Sequence, residues 1–114
     1  MNEWIEVCRI EDIVPGSGVC ARIGKHQVAL FRPRTDDAVF ALDNIDPFFE
    51  ASVLSRGLIV EHDDALWVAS PLKKQLFRLS DGLCQDAPER SRASFATRVE
   101  AGRVLVHSLP SPRS

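Results

Sequence analysis

Apolar positions along this chain come in short runs, each soon interrupted by turn-forming residues. Trp4 to Ile10 alternates apolar and polar positions as a half-buried strand does. Glu11 to Val14 is a short connector ahead of the turn-rich Pro15-Gly16-Ser17-Gly18. Val19 to Ile23 and Gln27 to Phe31 flank Gly24-Lys25 and predict a hairpin. Arg32 to Asp37 is a loop, and Ala38 to Leu42 is a strand. Asn44 to Arg56 contains Pro47, keeps no regular period and reads as irregular. Leu58 to Glu61 and Leu66 to Ala69 predict a second hairpin around His62-Asp63-Asp64. A short strand follows over Leu76 to Leu79, closed by Ser80-Asp81-Gly82. Gln85 to Ser94 is polar and reads as loop, and Phe95 to Glu100 pairs with Arg103 to His107 through Ala101-Gly102. Ser108 to Ser114 holds two prolines and three serines and is read as a disordered tail.

Nowhere does an extended run keep helical spacing. The expectation is therefore an all-β chain, an antiparallel sandwich or small barrel with a smaller loop-bearing part over residues 44 to 82. It would form one domain over residues 1 to 107, followed by the tail. At 114 residues and 45% hydrophobic content, such a domain buries roughly two thirds of its unfolded surface without staples.

Charge narrows the function. A formal net charge of -2 and a pI near 5.9 leave no basic footprint for nucleic acid. Met1 to Glu6 lacks the basic and apolar regions of a secretory leader. The longest apolar runs, Ala38 to Leu42 and Ala65 to Ala69, fall far short of the ~20 residues that cross a membrane. A cytoplasmic protein without membrane contact is expected. Cys8, Cys20 and Cys84 form an odd, scattered set, as idle thiols in a reducing compartment do.

The remaining candidate chemistry is weak. Gly16-Ser17-Gly18-Val19-Cys20-Ala21 matches a dinucleotide fingerprint in letters, but a strand follows it where phosphate binding needs a helix N-terminus. It reads as a turn. His26, His62 and His107 stand apart, each beside a strand end, with no cysteine at ligand spacing. Asp36-Asp37 and Asp63-Asp64 sit where turns are expected, and Asp favours turns through its own backbone. Lys73-Lys74 reads as a solvated pair able to steer an acidic partner. In Phe48-Phe49 one ring is expected in the core, leaving the other for a partner.

Two segments carry a family resemblance. Asn44-Ile45-Asp46-Pro47-Phe48 leads to Leu54-Ser55-Arg56-Gly57, and Ser70-Pro71-Leu72-Lys73-Lys74-Gln75-Leu76-Phe77-Arg78-Leu79 leads to Ser80-Asp81-Gly82. Together they resemble the two cluster-bearing loops of Rieske-type domains, Cys-Pro-His and Cys-Pro-x-His-Gly-x-x-Phe-x-Leu. A Rieske centre takes two Cys on one iron and two His on the other. The corresponding positions here are Asp46, Phe48, Ser70 and Lys73, so this chain is expected to hold no metal, cofactor or catalytic residue. Within the Rieske-like group the segments resemble the small subunits of cytosolic NAD(P)H-dependent nitrite reductases. That resemblance implies a non-catalytic subunit in the assimilatory reduction of nitrite to ammonium. Its partner is a large catalytic subunit with flavin, an iron–sulfur cluster and sirohaem, which binds NADH.

With the metal gone, Phe48 and Leu72 are expected to fill the gap between the loops while Pro47 and Pro71 stiffen them. Phe49, Lys73 and Lys74 are the expected partner contacts. Two rivals remain: a free-standing module binding a protein or small ligand, and a Rieske-type electron-transfer ferredoxin.

Overall fold

The computed structural model describes residues 3–112. Eleven strands follow one another: β1 (Trp4–Arg9), β2 (Ser17–Ile23), β3 (His26–Arg32), β4 (Phe40–Asp43), β5 (Ile45–Asp46), β6 (Ala51–Ser52), β7 (Leu58–His62), β8 (Ala65–Ala69), β9 (Leu76–Arg78), β10 (Ser94–Glu100) and β11 (Arg103–Pro110). The only helical pieces among the described residues are three 3-10 turns, Ile10–Asp12, Leu54–Arg56 and Pro88–Arg90. No helix there is long and apolar enough to cross a membrane. The all-β expectation agrees with this architecture.

Six strands make one curled antiparallel sheet in the order β1-β11-β10-β4-β3-β2, an open half-barrel. β7, β8 and β9 form a second, three-stranded sheet, and β5 and β6 a two-stranded ribbon. The predicted hairpins form where their turn residues allow. Asp63 and Asp64 take φ of 52° and 61° between β7 and β8, the left-handed pair that matches the twist of adjoining strands. Ala101 and Gly102, at 51° and 76°, do the same between β10 and β11. Gly16, at φ 85°, opens directly into β2, so no helix N-terminus follows the dinucleotide-like letters.

β3 explains why its segment reads as an unbroken apolar run instead of an alternation. Val28 and Leu30 point into one core with Ile13, Val104 and Val106, inside the curl of the large sheet. Ala29 and Phe31 point the other way, into a second core with Leu54, Val68 and Phe77 of the smaller sheet region. A strand buried on both faces has no polar side to show.

The structure departs from the sequence reading at the tail and in the irregular segment. β11 continues through Pro110 because it lies between β1 and β10 and finds partners on both sides. Ser108 N donates to Glu3 O at 2.9 Å, and Ser111 N to Ser94 O at 2.7 Å. Residues 108–110 are therefore strand, and residues 113–114 of the expected tail lie outside the described residues. Within the irregular segment, Ile45 pairs with Ser52 and Asp46 with Ala51. A ladder this short leaves no periodicity to read.

Gly82 closes the turn after β9 at φ 79°, and a Cβ there would lie 2.0 Å from the Arg92 carbonyl oxygen. Both the conformation and the space exclude a side chain. Gly82→Ala is expected to destabilise the domain by about 1–3 kcal/mol or more, read from urea unfolding. A wild-type midpoint would contradict the close approach.

Candidate functional site

Asp46 and Ser70 each begin a five-residue turn of the same construction. In the first, Asp46-Pro47-Phe48-Phe49-Glu50, Glu50 N donates to Asp46 O at 2.7 Å and Glu50 sits at φ 53°. In the second, Ser70-Pro71-Leu72-Lys73-Lys74, Lys74 N donates to Ser70 O at 2.9 Å and Lys74 sits at φ 62°. Proline takes the second position, where its fixed φ suits the turn and no donor is needed. The leading side chain caps each turn from within. Asp46 Oδ1 accepts from Phe48 N at 2.7 Å and Phe49 N at 3.2 Å, and Ser70 Oγ accepts from Leu72 N at 3.4 Å.

The two turns are joined at their first residues: the Ser70 hydroxyl donates to Asp46 Oδ2. Both residues are wholly buried. A buried carboxylate without donors would be prohibitive. Here Oδ1 has two backbone N–H groups and Oδ2 has the hydroxyl, so neither oxygen is left without a partner.

Neighbouring groups brace the first turn. Buried Asn44 accepts from Ser55 N through Oδ1 at 2.7 Å, and from Leu54 N through its carbonyl at 3.0 Å. Arg90 donates to Pro47 O at 3.0 Å and lies 5.5 Å over the Phe48 ring. Arg92 donates to Ile45 O at 3.2 Å and faces Asp43 at 3.5 Å. Asn44, Arg90 and Arg92 escape a sequence reading because they bond to atoms on distant segments, backbone atoms for all three and the Asp43 carboxylate as well for Arg92. An aspartate or a histidine motif has a local signature; a guanidinium aimed at a remote carbonyl has none.

Of the expected gap-fillers, only Phe48 serves. It is half-buried, packs against the second core and places its ring 6.5 Å from Phe77. Leu72 stays 43% exposed, because the turn is already closed beneath it by the Asp46–Ser70 bond. Phe49 is also exposed, with Lys73 Nζ 5.9 Å from its ring centroid, and Lys74 is exposed beside it.

A [2Fe–2S] cluster does not fit these residues. Asp46 and Ser70 spend their donor atoms on each other and on backbone amides, Phe48 has no ligating atom, and Lys73 carries an ammonium. Neither soft thiolate nor imidazole is available at these positions. Among the described residues no group of three or more His, Cys, Asp or Glu gathers elsewhere. His26 packs on Phe95, His62 on Trp67 and His107 on Trp4. Desolvation by burial pushes the Cys8 and Cys20 thiols upward, Cys8 further through Asp12, and Cys84 is buried. Such thiols are poor nucleophiles near neutrality.

This fold with two stapled loops is that of a Rieske-like [2Fe-2S] domain, whose family model matches residues 3–107. A nitrite reductase (NADH) small subunit from Salmonella typhimurium is 62% identical over 104 residues, covering 91% of this chain and 96% of that protein. The NMR structure of the E. coli protein NirD matches with TM-score 0.88 at 58% identity, over 94% of this chain and 97% of that one. The chain belongs to the Rieske-like family and, within it, to the small subunits of NADH-dependent nitrite reductase. A nitrite reductase NAD(P)H large subunit from Klebsiella oxytoca is also 43% identical over 103 residues, 90% of this chain but 11% of that longer protein.

The staple makes a quantitative claim. Ser70→Ala leaves Asp46 Oδ2 buried without its donor, so a loss of about 1–3 kcal/mol is expected in chemical denaturation. Asp46→Asn keeps an acceptor for the backbone amides and a donor toward Ser70, and should cost less. Equal losses in the two variants would remove the bond from the account. Phe48→Ala, at a half-buried site, should cost about 1–3 kcal/mol and speed amide exchange in both turns. An unchanged melting temperature would show that the ring does not hold them.

Proposed function

We propose that this chain is a non-catalytic subunit of a cytoplasmic NAD(P)H-dependent nitrite reductase that serves nitrogen assimilation, docking to and stabilising the large subunit. The observation that carries the reading is the stapled pair of turns: the Rieske-like frame is kept while the ligand positions are given to a hydrogen bond, an aromatic ring and a cation. A domain so changed has no redox centre of its own to contribute. Flavin, an iron–sulfur cluster, sirohaem and the NADH site then belong to the large subunit. The Klebsiella oxytoca large subunit supports the pairing, since it carries a related stretch within its own chain.

The docking surface we assign is the exposed end of the two turns, with Phe49, Lys73 and Lys74 as contacts. Phe49 supplies an aromatic anchor at 45% exposure, with Lys73 against its ring. The paired cations steer an acidic surface and make association salt-dependent.

The test is co-purification of the tagged chain with its large subunit, followed by NADH-dependent nitrite consumption. Lys73→Glu/Lys74→Glu is expected to weaken association by about tenfold or more and to flatten its salt dependence. Full assembly and activity in that variant would dismiss these contacts. A solitary wild-type chain, in cells that make the reductase, would dismiss the subunit role in favour of a free-standing binding module.

A further inference from the structure

Resting on the docking reading above, we infer that the outer face of the β7–β9 sheet, with the cleft beside the Ser70 turn, receives an apolar side chain flanked by carboxylates from the large subunit. The register of the small sheet separates its two faces. Ile59, Val68 and Phe77 stand opposite one another across β7, β8 and β9 and face the second core. The neighbouring row is Leu58, Ala69 and Leu76, and side chains one residue apart on a strand point to opposite faces. That row therefore lies on the outer face, where Leu58 is 68% exposed on the edge strand opposite the small Ala69. A large apolar residue standing over a methyl group leaves a shelf.

The shelf runs into a cleft of about 180 Å³ lined by Arg56, Leu58, Ala69, Pro71 and Lys74 among others. The volume suits one side chain and falls below the ~300–1,000 Å³ of a drug-sized ligand site. Gly57 forms its base by passing close over β8, since a Cβ there would meet the Ala69 carbonyl oxygen at 2.4 Å. Three of the five large apolar residues most exposed among the described residues, Phe49, Leu58 and Leu72, belong to this end of the molecule.

Charge selects the occupant. No carboxylate lines the cleft, and both charged residues on its rim, Arg56 and Lys74, are cations. Neither they nor Lys73 enters an ion pair among the described residues, a state they share with Arg22, Lys25 and Arg34, so it is their place around an apolar cleft that sets them apart. Unpaired cations around an apolar floor complement a partner residue that is apolar with acidic neighbours. Self-association through this face would bring Arg56 and Lys74 against like charges, which disfavours a second copy of the chain.

The experiment measures affinity of the full chain for its purified large subunit at low and moderate salt. Leu58→Glu and Arg56→Glu/Lys74→Glu are each expected to lose about tenfold or more, with Lys25→Glu on the β2–β3 turn within about twofold of wild type. The double charge reversal should also reduce the salt dependence. Because Leu58 is 68% exposed, its variant should keep the wild-type melting temperature. Wild-type affinity in both cleft variants would overturn the inference and remove Lys74 from the contacts, while docking through Phe49 and Lys73 would stand. A wild-type chain that binds no large subunit would overturn both. Self-association of the wild-type chain that Leu58→Glu abolishes, with large-subunit binding unchanged, would assign the face to a second copy instead.

Discussion

A carboxylate with no solvent contact must be surrounded by donors, and at Asp46 that demand shapes the whole loop end. Two of the donors are the amides of Phe48 and Phe49, which reach Oδ1 only if the chain turns back immediately after Pro47. The third is the Ser70 hydroxyl, which fixes where the second turn must lie. Placing that turn in turn sets the path of residues 70–75, because Ser70 N donates to Gln75 O at 2.9 Å as β9 begins. A buried polar atom left without a partner costs about 1–3 kcal/mol. These three bonds spare both carboxyl oxygens that cost. The staple thus holds the turns together because each residue satisfies a buried polar atom of the other.

How much of this was legible in the sequence follows from the range of each interaction. Hairpins such as β2–β3, β7–β8 and β10–β11 are local objects, announced by Gly24, Asp63-Asp64 and Ala101-Gly102 between apolar runs. What does not show is closure by distant partners. Pro110 ends a strand because β11 lies between β1 and β10, and nothing within residues 108 to 114 reports that position. At the site, the resemblance of two segments to Rieske-type loops singles out Asp46, Phe48, Ser70 and Lys73. The bond between Asp46 and Ser70 does not show there, since it joins residues 24 apart in sequence. The same blindness made Leu72 look like a core residue. Apolar character predicts burial only when something is left to cover, and the hydrogen bond beneath the turn had already closed the gap.

The two sheets divide the labour that follows. The large sheet carries its own core around Val28, Leu30, Val104 and Val106. The smaller sheet packs its inner row against Phe31 and Leu42 on the far side of β3 and β4. Because β3 and β4 serve both cores, the loop end is anchored to the most deeply buried part of the molecule. Arg90 and Arg92 then tie the polar segment before β10 across the first turn.

That anchoring bears on why a domain without cluster ligands would keep the cluster loops at all. Ordering a flexible loop on binding costs about 0.5–1.5 kcal/mol for each side chain immobilised, which weakens an interface made of mobile residues. Here the backbone beneath Phe49, Lys73 and Lys74 is ordered before any partner arrives, by a buried carboxylate, two prolines and the arginine straps. The exposed residues contribute their apolar area and charge with only their own rotamers left to settle. In a cluster-bearing relative, metal ligation would provide this rigidity along with electron transfer. In this chain the Asp46–Ser70 bond supplies the first property, which fits the recognition role proposed for that surface.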